Sequence, residues 1–150
     1  MGNSDPFTTP GATVSRRCPY STEYDPPAPI LPVCFGDPAG SDGGVAASAL
    51  VDSGADISVI PVAVAEALRL PRVDLTSVTG VGGTVRAPIV AARLDIARRS
   101  LVVRAVALAD EAILGRDVIN RFTLTLDGPG RALEMIAAPV KRAGSRRAKH

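Results

Sequence analysis

Leu50-Val51-Asp52-Ser53-Gly54-Ala55-Asp56 is the stretch on which the reading of this chain turns. An apolar run ends on a carboxylate, a hydroxyl and a glycine, and a second carboxylate follows at Asp56. Further along stands Ile113-Leu114-Gly115-Arg116-Asp117, an apolar pair, a glycine and a charged pair. Taken alone, Asp52-Ser53-Gly54 is an ordinary turn after a strand, since Asp, Ser and Gly are all common turn residues. Its surroundings give it more content.

Residues 45–51 form a small, apolar strand candidate leading straight into Asp52, and residues 57–60 alternate like another strand. Pro61 opens a short helix over 62–68, and Leu70-Pro71 closes it. Residues 73–78 and 84–90 flank Thr79-Gly80-Val81-Gly82-Gly83, which has the chemistry of a hairpin turn. Residues 94–96 and 101–108 give two more strands, joined by the turn Ala97-Arg98-Arg99-Ser100. Residues 112–114 read as a buried strand, 116–121 as a brief helix, and 122–126 and 132–137 as a final pair of strands about Asp127-Gly128-Pro129-Gly130. Upstream, residues 29–35 are a short extended run and 36–44 turn material. Many short strands separated by turn signals predict an all-β fold, a small barrel or sandwich with one or two short helices.

Composition is consistent with that. The chain has 150 residues, a single-domain length, and 46% apolar residues with only three Phe, two Tyr and no Trp. Val, Ile, Leu and Ala must therefore pack the core, and β-branched residues lean the middle of the chain toward strands. Residues 1–28 are polar, proline-punctuated and without period, which predicts a flexible extension. The body, 29–138, carries ten Arg against twelve acids, whereas Lys141, Arg142, Arg146, Arg147 and Lys149 crowd a basic tail over 139–150. The net charge of +2 thus comes from the tail, and nothing in the body reads as a nucleic-acid-binding face. No apolar run has membrane-spanning length and no secretory signal is evident, so a cytoplasmic protein without a membrane partner is the expectation. Cys18 and Cys34 lack metal-ligand spacing.

Elimination narrows the chemistry. His150 is the only histidine and stands last, which removes Ser-His-Asp, Cys-His and HExxH sites. No glycine cluster is followed by Lys-Ser/Thr, and Gly80-Val81-Gly82-Gly83 is not a dinucleotide fingerprint. Carboxylate chemistry remains, with no cofactor and no metal called for.

With Asp52-Ser53-Gly54-Ala55-Asp56, the glycine-rich hairpin and Ile113-Leu114-Gly115-Arg116 in this order, the chain resembles the retropepsin-like aspartic peptidases, single-lobed homodimeric relatives of pepsin, over residues 29–138. The resemblance implies a small closed acid-protease β-barrel, active as a homodimer on peptide or protein substrates. Asp52 would be catalytic. The chain offers one Asp-Ser-Gly element, so the second carboxyl would come from a second copy across a two-fold axis. Ser53, where the family more often has Thr, would bond across that axis; Gly54 would bring its N–H to the carboxylate; Ala55 places no hydroxyl beside it. Asp56 and Arg116 would form a structural ion pair, with Asp56 also able to bind substrate backbone. Thr79, Gly80, Val81, Gly82 and Gly83 would form the flap, and Ile113, Leu114 and Gly115 the element packed beneath the catalytic loop. Two other readings keep the fold but change the activity: a dimerisation or peptide-binding module with little turnover, and a monomeric barrel that binds a small ligand.

Overall fold

Short runs rich in β-branched residues pack well on a pleated surface, and the computed structural model, described for residues 14–40 and 43–137, is built accordingly. In chain order it holds β1 (Val14–Pro19), β2 (Ile30–Gly36), β3 (Val45–Val51), β4 (Val59–Ile60), α1 (Val62–Ala67), β5 (Arg72–Gly80) and β6 (Gly83–Ile96). Then follow β7 (Arg99–Ala107), β8 (Ala112–Leu114), α2 (Arg116–Ile119), β9 (Thr123–Asp127) and β10 (Ala132–Ala137).

The larger sheet runs β2-β3-β8-β4-β7-β6-β5, and β2 also pairs with β6. That extra pairing, Cys34–Asp95 to Gly36–Arg93, closes six strands into a barrel and leaves β5 outside it as the partner strand of a long hairpin. This is the all-β retropepsin-like barrel with two short helices that the sequence predicts. Its interior is filled by Leu31, Phe35, Ile60, Leu94 and Leu114, each less than 2% exposed. A second sheet, β1-β10-β9, packs Cys18, Leu133 and Met135 onto the same core.

Three expectations are corrected. Residues 14–28 do not behave as a flexible extension: β1 pairs along its whole length with β10, from Val14–Ala137 to Pro19–Ala132, and Cys18 is buried. Its buried cysteine is one of few apolar positions in a polar stretch, too little to read as a strand. Residues 84–90 and 94–96 are one strand, β6, because Arg93 does not interrupt it. Arg93 is 6% exposed and its guanidinium is capped instead: Nε donates to Asp95 Oδ2 at 3.2 Å, Nη2 to the Gly43 carbonyl at 2.7 Å, and Nη1 to the Gly40 carbonyl. The strand expected over 57–60 shrinks to Val59–Ile60: Ile57 packs against Ala87, Ile89 and Val106, and the Ser58 hydroxyl accepts from the Gly115 N–H. Residues 1–13 of the expected extension, residue 138 and the basic tail over 139–150 lie outside the described residues.

Candidate active site

β8 lies between β3 and β4, parallel to the first and antiparallel to the second. Ala49, Leu50 and Val51 therefore run level with Ala112, Ile113 and Leu114, and the ladder continues one step further: the Asp52 N–H donates to the Leu114 carbonyl at 3.0 Å. The turn that follows is closed by the Ala55 N–H on the Asp52 carbonyl at 3.2 Å. Asp52 thus sits where two buried strands end together, half-buried, with Ser53 and Gly54 exposed beside it. The Gly54 N–H donates to Asp52 Oδ1 at 2.8 Å, and a Cβ on Gly54 would come within 3.1 Å of that oxygen. Glycine here allows the amide to approach and orient the carboxyl, leaving Oδ2 free of that bond.

The second element locks the turn from below. The Arg116 N–H donates to the Ala55 carbonyl at 2.8 Å, and its guanidinium donates through Nη1 to the Ser53 carbonyl at 2.8 Å and through Nη2 to Asp56 Oδ1. The predicted Asp56–Arg116 pair is formed, at the surface: the two side chains are 85% and 45% exposed. Its Coulomb energy is accordingly small, and the contact to Ser53 does more to fix the loop. Gly115 admits no side chain, since a Cβ there would lie 2.8 Å from the Ile57 carbonyl carbon and 2.9 Å from the Ala55 oxygen.

One residue given no role by the sequence reading completes this floor. Ser58, 3% exposed, accepts from the Gly115 N–H at 3.0 Å and donates to Asp117 Oδ1 at 2.7 Å. The available signal was a serine in the apolar run Ile57-Ser58-Val59-Ile60. A further tie, between Tyr24 Oη and Glu111, joins the loop after β1 to the residue preceding β8. It pushes the Tyr24 pKa up to about 12, chiefly through that hydrogen bond, then through burial and the Glu111 charge. Nothing local marks a pair separated by 87 positions.

Above the floor stands the β5–β6 hairpin, whose register runs from Leu75–Pro88 to Gly80–Gly83 around Val81 and Gly82. Its stem is anchored: Ala87, Ile89 and Val106 are buried with Val78, Leu108 and Ile57, the last of these directly after Asp56. Its tip is free. Val81 is fully exposed, Gly83 takes φ +111°, and no atom lies within 4 Å of a Cβ built on Gly80, Gly82 or Gly83. Thr79 and Thr84 share one hydroxyl–hydroxyl bond at 3.0 Å across the strands. Next to the loop opens a cleft of about 560 Å³, bordered by Asp56, Ile57, Asp74, Ile89, Val103 and Arg104. The structure thus brings Asp52 through Asp56 together with Ile113 through Arg116, and suspends residues 79–83 on a hairpin rooted beside them.

Such a barrel, with an acidic turn at the end of paired strands and a glycine-tipped hairpin, defines the retropepsin-like class of aspartic proteases. The family profile described as aspartyl protease matches residues 39–119, more than half of the chain, which therefore belongs to that family. Among solved structures the chain is similar to the EIAV protease complexed with the inhibitor HBY-793, at 26% identity and a TM-score of 0.50, over 69% of this chain and 92% of that one. It is also similar to a retropepsin-like aspartic protease from Rickettsia conorii, at 13% identity and a TM-score of 0.62, over 89% of this chain and 99% of that one. The latter likeness is one of fold alone. No curated protein matches the chain.

Proposed function

We propose that the chain is an aspartic endopeptidase that works as a homodimer, with Asp52 of each copy facing the other across a two-fold axis. The observation that carries the reading is the setting of Asp52: half-buried at the end of the β3–β8 ladder, its Oδ1 held by the Gly54 N–H at 2.8 Å, in a stretch matched by the aspartyl protease profile. A single such turn per chain leaves the pair to be completed by a second copy.

Two carboxyls held close cannot both ionise, so they share one proton. The ionised Asp52 takes a proton from a water lying between them, and the water oxygen bonds to the scissile carbonyl carbon. The protonated Asp52 gives its proton to the carbonyl oxygen. The resulting diol collapses: one diol hydroxyl returns its proton to the now ionised Asp52 as the C–N bond breaks, the amine leaves with the proton of the other Asp52, and the carboxylic acid product forms. Ser53 is exposed and its hydroxyl makes no hydrogen bond within the described residues, which leaves it available to the second copy's loop. The flap, Thr79 to Gly83, would close over an extended peptide lying across Asp52 and exclude water from it.

Cleavage of a mixed peptide library by wild type and by Asp52→Asn tests the proposal. The variant should lose essentially all turnover, by a factor on the order of 10³ or more, while remaining folded. Equal activity in both removes Asp52 as the catalyst. A dimer that binds peptides without cutting them in either form selects the binding-module reading instead.

A further inference from the structure

Arg16 occupies a position where the fold calls for an apolar side chain. Side chains alternate along a strand, so Arg16 shares a face of β1 with the buried Cys18. Across the ladder Cys18 faces Leu133 and Arg16 faces Met135, which are 0% and 1% exposed. That face packs onto the common core, yet Arg16 itself is exposed. It borders a cavity of about 270 Å³ between β1, the middle of β2 and the turn that joins β6 to β7. Pro32, Val33 and Ile96 give the cavity an apolar wall, and Asp95 and Arg98 add further charge.

Arg98 is a second irregularity at the same cavity. Ile96 pairs with Arg99, so the turn is the two-residue loop Ala97-Arg98. Both residues are left-handed, at φ 48° and 61°. Such loops favour Asn-Gly, because a Cβ crowds the backbone at positive φ. An arginine therefore stands where glycine would relax the chain. Strain of this kind concentrates at ligand clamps.

The charges around the cavity are unevenly matched. Both oxygens of the Asp95 carboxylate are engaged, Oδ2 by Arg93 Nε at 3.2 Å and Oδ1 by the Ser100 hydroxyl. Neighbouring arginines are engaged as well, Arg17 with Asp127 and Arg99 over the Phe122 ring. Among the described residues, Arg16 and Arg98 form no ion pair. One free guanidinium from each sheet thus borders the same cavity, and Arg93 already neutralises the carboxylate there.

We propose that this cavity binds a phosphate dianion between Arg16 and Arg98. A guanidinium fork matches two phosphate oxygens at once, and two positive charges balance two negative ones. The apolar wall leaves room for a short apolar body on the phosphate. The volume lies just below the roughly 300–1,000 Å³ of ordinary ligand sites, so the ligand is small. The site stands apart from the peptidase reading, since neither β1 nor the β6–β7 turn contributes to the floor under Asp52 or to the flap. A bound phosphate would brace β1 of the small sheet against the barrel.

The full-length chain, as wild type and with Arg16→Gln, Arg98→Gly or Arg69→Gln, provides the test at about pH 8, where a phosphate monoester is dianionic. The probes are phenyl phosphate, inorganic phosphate and benzoate at one ionic strength. Calorimetric titration should show saturable binding of phenyl phosphate to wild type, weakened about tenfold or more by Arg16→Gln and by Arg98→Gly. Arg69, an exposed arginine that follows α1, does not border the cavity, and Arg69→Gln should leave the affinity unchanged. Arg98→Gly also relaxes the turn, so its unfolding midpoint without ligand should not fall, which separates lost binding from lost fold. Cys34, half-buried at the same cavity, locates the ligand. Cys18 is buried, so iodoacetamide reports on Cys34, and phenyl phosphate should slow that alkylation several-fold. Tighter binding of phenyl phosphate than of inorganic phosphate assigns the site to an organic monoester, and equal binding assigns it to the free ion. The proposal is overturned if neither phosphate binds saturably, if both cavity variants keep the wild-type affinity, or if benzoate binds as tightly as phenyl phosphate.

Discussion

The floor under Asp52 and the hairpin above it are both short, glycine-containing turns joining strands, yet they are held in opposite ways. The floor is tied by a chain of hydrogen bonds: Asp52 to Leu114, Arg116 to Ala55, Gly115 to Ser58, and Ser58 onward to Asp117. No buried side-chain nitrogen or oxygen among the described residues lacks a partner. The flap has one exposed threonine pair and nothing in reach of its three glycines. Glycine at the floor serves close approach, and glycine at the flap serves freedom to bend. On the proposed function, the same residue type would answer two needs, rigidity where charges must be placed and mobility where substrate must enter.

The contrast is broken most severely by Gly115→Ala. The added Cβ meets backbone at 2.8 and 2.9 Å, which has no rotamer to change. Relief requires the loop at Ala55–Ile57 to move away from α2, and overpacking of this kind should cost about 3 kcal/mol or more. Urea unfolding should show it as a lowered midpoint. Peptide cleavage should fall further than stability does, because the moved loop carries Asp52.

Ser58→Ala is the next largest. It empties a buried position without steric conflict but strands the Gly115 N–H and removes the donor to Asp117. Leaving buried polar groups unpaired should cost about 1–3 kcal/mol. Ser58→Thr, which keeps the hydroxyl, should recover part of that loss in the same unfolding assay.

Ser58 marks the limit of what could be read in advance. Asp52-Ser53-Gly54, Ile113-Leu114-Gly115 and the glycine-rich hairpin are contiguous stretches whose pattern carries both strand and turn, so the barrel and the elements of the site were legible. Ser58, Asp117, Tyr24 and Glu111 are not. Each is polar in a run explained well enough without it, and its role arises only when the topology brings a distant partner to it. The continuity of β6 through Arg93 was likewise not legible, because the carbonyls that cap its buried charge come from distant residues. β1 was missed because its strand is defined by β10, more than a hundred residues away in sequence, and not by its own alternation.

Tyr24→Phe probes the outer fringe of the floor and should have a smaller effect, under about 1 kcal/mol, because the pair is only half-buried. Its pH signature is more distinctive than its size. The folded protein holds the Tyr24 proton more tightly than the unfolded chain does, raising its pKa from 10.0 to about 12. The stabilisation is therefore complete below about pH 10 and is lost as the pH rises through about 12. Tyrosine absorbance should show a step near 12 that Tyr24→Phe abolishes and Glu111→Gln moves back toward 10. A late step that survives both changes would detach this pair from the floor.

Gly82→Ala should be almost silent in stability and is the sharpest check of the comparison. Its Cβ would project into open space, and its backbone lies outside the left-handed region that penalises a side chain. Restricting the unfolded chain even offers a slight gain, so the unfolding midpoint should move by no more than about 0.5 kcal/mol in either direction. If the tip has to bend to admit and release peptide, turnover should nonetheless fall several-fold, and the loss should ease with shorter peptides that need less opening. The floor variants couple activity to stability, because they displace the charge itself. Gly82→Ala should separate the two. A variant that loses stability at Gly82, or keeps full turnover on long peptides, would mean that the hairpin tip is an ordinary turn and that the freedom of its glycines has no part in catalysis.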